Sequence, residues 1–429
     1  MTQGKSDYQR GTFGRTTRRK FLKDAAGLAA TAPALAHSRV GQNMSATSAL
    51  FAPGPIMAYV GTYSSPQGPE GAPGRGQGIY LFEMNPATGV LKQRELFPND
   101  GNPACLTFDP SHTHLYSANE VSGFQGTNSG SISAYSIDRA TGHLTPLNAV
   151  SSEGAGGPAH MSIHPSGKFA LAANYRGGTV AVFPIRANGE LGPATDVIEN
   201  KGTLGPVRAT DAPKGSFAIS GHDHPHAHMI QSDPAGRFVF SPDLGLDRIF
   251  IWKFDADKGK LIPNDPSSIA LPPGDGPRHF TFHPNGRWFY SIQEEASTLV
   301  AYDYDAKAGI PTPKQTVSTL PEGFTGTNYT SALMTSADGK VLYAANRLHD
   351  SIAWFTIRPT GTLTFAGEEW TRGDYPRTFN IDPAGNFLYS CNQRADNITT
   401  FRVNRRTGAL TFAGQYTPVG TAAMIVFLT

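Results

Sequence analysis

Apolar residues along this chain fall in short runs that alternate with polar ones and are closed by Gly, Pro, Asn or Asp, and a 3.6-residue period is almost absent. The runs repeat. A first segment occurs as Pro103 to Asp109, Pro158 to His164, His226 to Asp233, Pro277 to His283, Tyr329 to Ser336 and Pro376 to Asp382. Tight turns follow, such as Ser166-Gly167-Lys168, Ala235-Gly236-Arg237, Asn285-Gly286-Arg287, Asp338-Gly339-Lys340 and Ala384-Gly385-Asn386. A second, apolar segment comes next: His114 to Asn119, Phe169 to Asn174, Phe238 to Asp243, Trp288 to Gln293, Val341 to Asn346 and Phe387 to Asn392. A third segment alternates strictly, from Ser131, Thr179, Arg248, Thr298, Ser351 and Asn397. A short fourth follows a glycine turn, as at Gly142, Gly259, Gly361 and Gly408.

Four strands joined by hairpins, repeated at intervals of about 46 to 69 residues, describe the blades of a propeller. The chain ends complete the ring. Met57 to Thr62, Gly78 to Met84 and Gly89 to Leu96 supply three strands without a first one, and Gly420 to Leu428 supplies a first strand with nothing after it. Joined in one blade they remove the open edges of a linear sheet. The expected fold is therefore all-β, a seven-bladed β-propeller over 56–429, closed by its N- and C-terminal strands.

In such a blade the start of the innermost strand and the end of the second meet at one rim of the central channel. A slot filled alike in every blade serves the fold, whereas one that turns charged in a few blades is a candidate for function. The residue ending the second segment is Asn119, Asn174, Asp243, Gln293, Asn346 and Asn392, a polar series suited to holding turns. The next residue is Glu120, Tyr175, Leu244, Glu294, Arg347 and Gln393, with no shared requirement. At the start of the first strand Ala104, Ala159 and Ser331 are small where His228, Arg278 and Arg377 are not, and His160 and His279 stand one step further in. Burying such heads without partners costs several kcal/mol, so they must face each other, water or a ligand. An anion-accepting pocket with one or two carboxylates follows.

Composition supports this picture, with 47 Gly and 33 Pro. The formal net charge of +2 comes from interspersed residues and forms no stripe for nucleic acid or an anionic membrane. A small molecule is the expected partner. Cys105 and Cys391 fall in non-neighbouring blades and are expected to be buried free thiols. Ahead of the repeats, Thr17-Arg18-Arg19-Lys20-Phe21-Leu22-Lys23 precedes an Ala-rich run ending in Ala34-Leu35-Ala36. That pattern resembles a twin-arginine export signal over 1–36, cleaved near Ala36, with a flexible leader over 37–55 and a periplasmic product. No other run approaches the roughly 20 apolar residues that span a bilayer, so no stable membrane anchor is expected.

Several of these segments carry a family resemblance. Gly276-Pro277-Arg278-His279 with His283, Asn346-Arg347, Pro225-His226-Ala227-His228, Ala173-Asn174-Tyr175 with Gly178, and Asp243 to Arg248 resemble the propeller lactonase family that includes 6-phosphogluconolactonase and the fungal carboxy-muconate cyclase. The resemblance runs from about Met57 to the C-terminus. It implies a catalytic set of a His, two Arg and a Glu, matching His228, Arg278, Glu294 and Arg347, without a cofactor. Gln293 stands before the Glu where relatives often have Asn, and an export leader sits oddly with a cytosolic phosphorylated substrate.

Lactone hydrolysis needs an activated water, a stabiliser for the oxyanion and positive charge for any anionic group on the substrate. Glu294 is the expected base or water-orienting group, His228 its acid/base partner, and Arg278 and Arg347 the clamps. His160, Tyr175, His226, His279, Glu120, Arg377 and Gln393 would shape the substrate pocket. The expected reaction is hydrolysis of a small sugar-acid type lactone by a monomer or dimer. Lactone formation or opening of the muconate cyclase kind, and a noncatalytic binding propeller, are the alternatives. An exported quinoprotein or metal-dependent gluconolactonase would need an acidic cage that the sequence does not display. His222, His224, His226 and His228 alternate, so a strand there would put four metal-binding side chains on one face, although Pro225 argues against it. The loops Ser64 to Gln77 and Asn200 to Gly221 are expected to cover the site.

Overall fold

The structure is a computed structural model that describes residues 56–68, 72–218 and 221–429. The expected export signal and leader lie outside these residues. Among the described residues the inner strands of seven four-stranded antiparallel sheets are Ala422–Phe427, Pro103–Phe108, Pro158–Ile163, Gln231–Ser232, Pro277–Phe282, Thr330–Thr335 and Pro376–Ile381, here the first to seventh blades. The first blade is the composite one. Its Ile56–Thr62 strand pairs with Ala422–Phe427, with Ala58 opposite Phe427 and Val60 opposite Ile425, so the two ends of the chain close the ring. No helix among the described residues is long and apolar enough to cross a membrane.

Neighbouring blades are welded by apolar layers between them. Trp288, Tyr290 and Ile292 of the fifth blade, for instance, pack with Leu342, Ala344 and Phe355 of the sixth. The repeated tyrosine of the second strand adds a polar latch to this layer. Each of these phenols is buried and must find an acceptor. Tyr116 donates to the Gly189 carbonyl at 3.0 Å, Tyr290 to Gly361 at 2.9 Å, Tyr343 to Gly408 at 2.9 Å and Tyr389 to Gly89 at 2.9 Å, each reaching the glycine turn of the next blade. The turn positions explain themselves: Gly361 has φ +79° and a Cβ there would stand 2.5 Å from the Trp288 ring. The turn histidines are structural, as their Asp-like slot suggests, because His164 Nε2 meets the Gly236 carbonyl and His283 Nε2 that of Gly339, both at 2.8 Å. Cys105 and Cys391 are buried free thiols on the second and seventh blades, with the first blade between them.

The fourth blade departs from expectation. A full inner strand over His226 to Asp233 shrinks to Gln231–Ser232, preceded by a single bridge between Ala227 and Asp243. Around the bridge His228 N still donates to the Pro242 carbonyl at 3.1 Å and Leu244 N to that of His226 at 3.0 Å, while the Asp243 carboxylate accepts the His226 and Leu246 amides, at 2.8 and 3.2 Å. Pro225 lacks an N–H, and the loop before it leads in from outside the sheet. The alternating histidines therefore do not share a face: His222 turns to Asp247 and Glu295, His224 and His226 to Asp223, and His228 to the Tyr175 and His279 rings.

Candidate active site

A β-bulge sets the rim. In the second, third, fifth and seventh blades the pairing of the two inner strands slips by one residue between Pro103 and Cys105, Pro158 and His160, Pro277 and His279, and Pro376 and Thr378. The skipped residues are Ala104, Ala159, Arg278 and Arg377, the same slot that turns charged in two blades. A bulge releases its extra residue from the ladder and re-aims its side chain. The residue after the second strand is held beside it, since Glu294 N donates to the Gly276 carbonyl at 2.8 Å and Arg347 N to that of Tyr329 at 2.8 Å.

These two slots bring Arg278, Glu294 and Arg347 together. Arg278 Nε lies 2.8 Å from one Glu294 oxygen and Arg347 Nη2 lies 2.6 Å from the other. Arg278 is only 1% exposed, and its guanidinium also donates to the Ser331 carbonyl. Arg347 donates to the Thr330 carbonyl at 3.0 Å and to the Tyr375 hydroxyl at 3.2 Å, with its guanidinium against the Tyr329 and Tyr375 rings. Burial and the neighbouring Arg347 push Arg278 down to about 9, despite Glu294. Among the described residues the Glu294 carboxylate thus bridges both buried guanidiniums.

Histidines line the other side. The His228 ring stands edge-on to His279 at 5.1 Å and to Tyr175 at 5.3 Å, and His279 meets His160 at 5.6 Å. Burial, then the positive charge of Arg278, holds His228 and His279 well below the ordinary imidazole range and His160 at about 4. All three are neutral at pH 7. Among the described residues the buried His228 Nδ1 has no hydrogen-bond partner, whereas His279 Nε2 faces the Arg278 guanidinium at 3.3 Å.

The remaining expected residues divide. Glu120 and Arg377 form a second pair, 3.2 Å apart, between the second and seventh blades. Tyr63 of the first blade binds it together, donating to Glu120 at 2.7 Å with its ring under Arg377. Gln393 is buried and joined through its N–H to the Tyr375 carbonyl at 3.0 Å. His226 stacks on the far side of Tyr175 at 4.1 Å and does not join the arginine cluster. Tyr63, Tyr329 and Tyr375 escaped the sequence reading. Tyr329 and Tyr375 occupy one slot, with Gly157 and Gly276, whose carbonyl accepts from the rim residue. Comparing that slot across blades would have found two of the three. Tyr375 holds φ +66°, stabilised by Asp350 accepting its N–H at 2.8 Å.

Behind Glu294 lies a second buried polar group. His222 sits between Asp247, 3.1 Å away, and Glu295, 3.2 Å away, while Asp247 accepts the Gly274 and Gly276 amides at 2.7 and 2.9 Å. Burial and the carboxylates of Asp211, Asp247 and Glu295 push Asp275 up to about 10, so it is a neutral acid at pH 7. Burial works against charge on His222, but the bonds to Asp247 and Glu295 outweigh it and raise the imidazole to about 9. A free histidine loses its proton near 6.5, so this stabilisation is complete below about pH 6.5 and disappears as pH rises through about 9. In thermal unfolding, His222→Gln is expected to lose most at pH 6 and to approach the parent protein by pH 10. An equal difference at both would contradict a charged His222.

A family model described as "Lactonase, 7-bladed beta-propeller" matches residues 57–427. The chain belongs to that lactonase family. A 6-phosphogluconolactonase of Bacillus subtilis is 33% identical over 373 residues, 87% of this chain and 98% of the relative. One from Formosa agariphila is 32% identical, over 78% of this chain and 91% of its own. Among solved structures, the periplasmic gluconolactonase of Pseudomonas aeruginosa superposes with a TM-score of 0.76 at 28% identity, covering 87% of this chain and 99% of the other. A putative 6-phosphogluconolactonase of Bacteroides fragilis gives 0.75 at 32%, covering 88% and 98%. Within this family's fold, the rim cluster is a place where slots filled by small or neutral residues in some blades turn charged in others.

Proposed function

We propose that this lactonase-family chain hydrolyses a small sugar-acid lactone at the channel mouth, with Arg278, Arg347, Glu294 and His228 as the reacting set. The observation that carries the reading is one buried carboxylate held between two buried guanidiniums beside a neutral imidazole. Arg278 and Arg347 supply the positive field for the carbonyl oxygen as it becomes a tetrahedral oxyanion. Glu294 aligns them and, through its remaining lone pairs, orients the attacking water. The water oxygen bonds to the carbonyl carbon, the ring C–O bond breaks, and the proton released by the water passes through His228 to the leaving alkoxide. Three guanidiniums of the described rim, Arg278, Arg347 and Arg377, lie beside the reacting set and favour a substrate carrying a carboxylate or phosphate.

The test is turnover of gluconolactone, its 6-phosphate and a muconolactone by the purified protein, with and without chelator, measured against spontaneous hydrolysis. Turnover of a sugar-acid lactone is expected. Muconolactone turnover alone would reassign the chain to the cyclase branch, and no turnover of any would overturn the enzymatic reading.

The segment Thr17 to Ala36 supports delivery through the twin-arginine machinery, with periplasmic lactonase as the product. Replacing Arg18 and Arg19 by Lys is expected to retain an uncleaved protein in the cytoplasm on fractionation. Normal export of that variant would contradict it.

A further inference from the structure

We propose that Asp223, His224 and His226 form a binding site for a divalent transition-metal ion of the zinc type, set behind the Tyr175 wall of the channel mouth. It is the only group of its kind among the described residues, and the catalytic set does not use it.

The imidazole tautomers carry the argument. His226 Nδ1 lies 2.9 Å from the Tyr175 carbonyl and His224 Nε2 lies 3.1 Å from the Arg176 carbonyl. A carbonyl only accepts, so those two nitrogens carry the N–H groups. In neutral rings the opposite nitrogens, His226 Nε2 and His224 Nδ1, are then bare lone pairs. Both point at Asp223, at 2.9 Å from its two oxygens. Its carboxylate, on a side chain that is 71% exposed, is ionised at pH 7 and is also only an acceptor. Three acceptors converge with no hydrogen among them, an arrangement that repels unless a cation lies between.

The geometry suits a metal. The ligand atoms all fall within 4.8 Å of one another, and a tetrahedral ion with bonds of about 2.0–2.1 Å spaces its ligands by roughly 3.3 Å, so small rotations complete the set. Donation of the far N–H to a backbone carbonyl is how metal-binding histidines are commonly oriented. Two imidazoles and one carboxylate fit zinc, cobalt or nickel better than calcium or magnesium, which take oxygen ligands. The 71% exposure of the Asp223 side chain leaves a further position open to water. His226 is 4% exposed, and its ring stacks on Tyr175 at 4.1 Å and meets that of His224 at 3.9 Å, which holds it at the site. Because Tyr175 touches His228 edge-on, the ion would stiffen the wall of the reaction site without entering it. A proton on one imidazole is the competing occupant.

The test uses untagged protein, stripped with chelator and titrated with zinc by calorimetry, with cobalt as a spectroscopic probe. About one ion per chain is expected, with visible cobalt bands of four-coordinate type, and His224→Ala and Asp223→Asn should each weaken zinc at least tenfold. Both residues are outside the buried core, so folding of the variants is checked by circular dichroism and retained binding is meaningful. No stoichiometric uptake by the parent would assign the site to a proton. Unchanged affinity in both folded variants would place the ion elsewhere, and either result overturns the proposal. The readout is independent of turnover, so it stands apart from the lactonase reading.

Discussion

Glu294→Gln is expected to lower lactone turnover by roughly 10²- to 10⁴-fold, the range for losing a positioned proton-transfer group, and to lower thermal stability as well. The stability loss arises because Glu294 pairs with both buried arginines, Arg278 and Arg347. Removing one partner of a buried ion pair typically costs about 3–5 kcal/mol, since the remaining charge is left uncompensated. The two effects separate experimentally. Turnover per folded molecule reports the chemistry, and the shift in Tm reports the ion pair. If Tm fell while turnover per folded molecule stayed at the parental value, Glu294 would be a rim brace between blades and nothing more. The amide keeps the shape and one acceptor oxygen, so the comparison removes charge with little change in volume.

Arg278→Ala is expected to cost roughly 10²- to 10³-fold in kcat/KM, the scale for losing one preorganised oxyanion donor. Arg278→Lys should recover only part of it, because an ammonium keeps the charge but not the planar fork. A second signature follows from the electrostatics. After burial, Arg278 is the largest influence holding down both His228 and His279. Removing it should move both imidazoles upward, so the acidic limb of the pH profile shifts to higher pH in the alanine variant and stays in place in the lysine variant. Parental kcat/KM in a folded Arg278→Ala protein would remove Arg278 from the reaction.

The repeat made most of this legible before any coordinates. Because every blade solves the same packing problem, its shared residues mark the fold, and residues that break the pattern stand out against six internal copies. Arg278, Arg377, Glu120, Glu294 and Arg347 were visible in this way. The frame failed where the repeat itself fails. In the fourth blade the inner strand is cut to a bridge and two residues, with Pro225 and an Asp243 carboxylate cap at its start, and an alternation of histidines that looks like one face splits in three directions. Tyr63 was missed because the composite blade was left out of the comparison: it follows the second strand Ile56–Thr62, in the slot of Glu120, Tyr175, Glu294 and Arg347, and donates its N–H to the Thr421 carbonyl as they do to theirs.

From the sequence alone come the blade count, the closure of the ring and the slots that reach the channel mouth, because these depend on local alternation, turn chemistry and period. Tertiary structure alone decided that Glu294 is shared by two arginines, that Glu120 and Arg377 form a separate pair around Tyr63, and that His222 is clamped between Asp247 and Glu295. Apart from Arg278–Glu294, which lies within the fifth blade, those contacts join residues of different blades or loops. Their distances are set by the curvature of the closed ring and by the bulge that turns each rim side chain inward, and neither is written in the spacing along the chain.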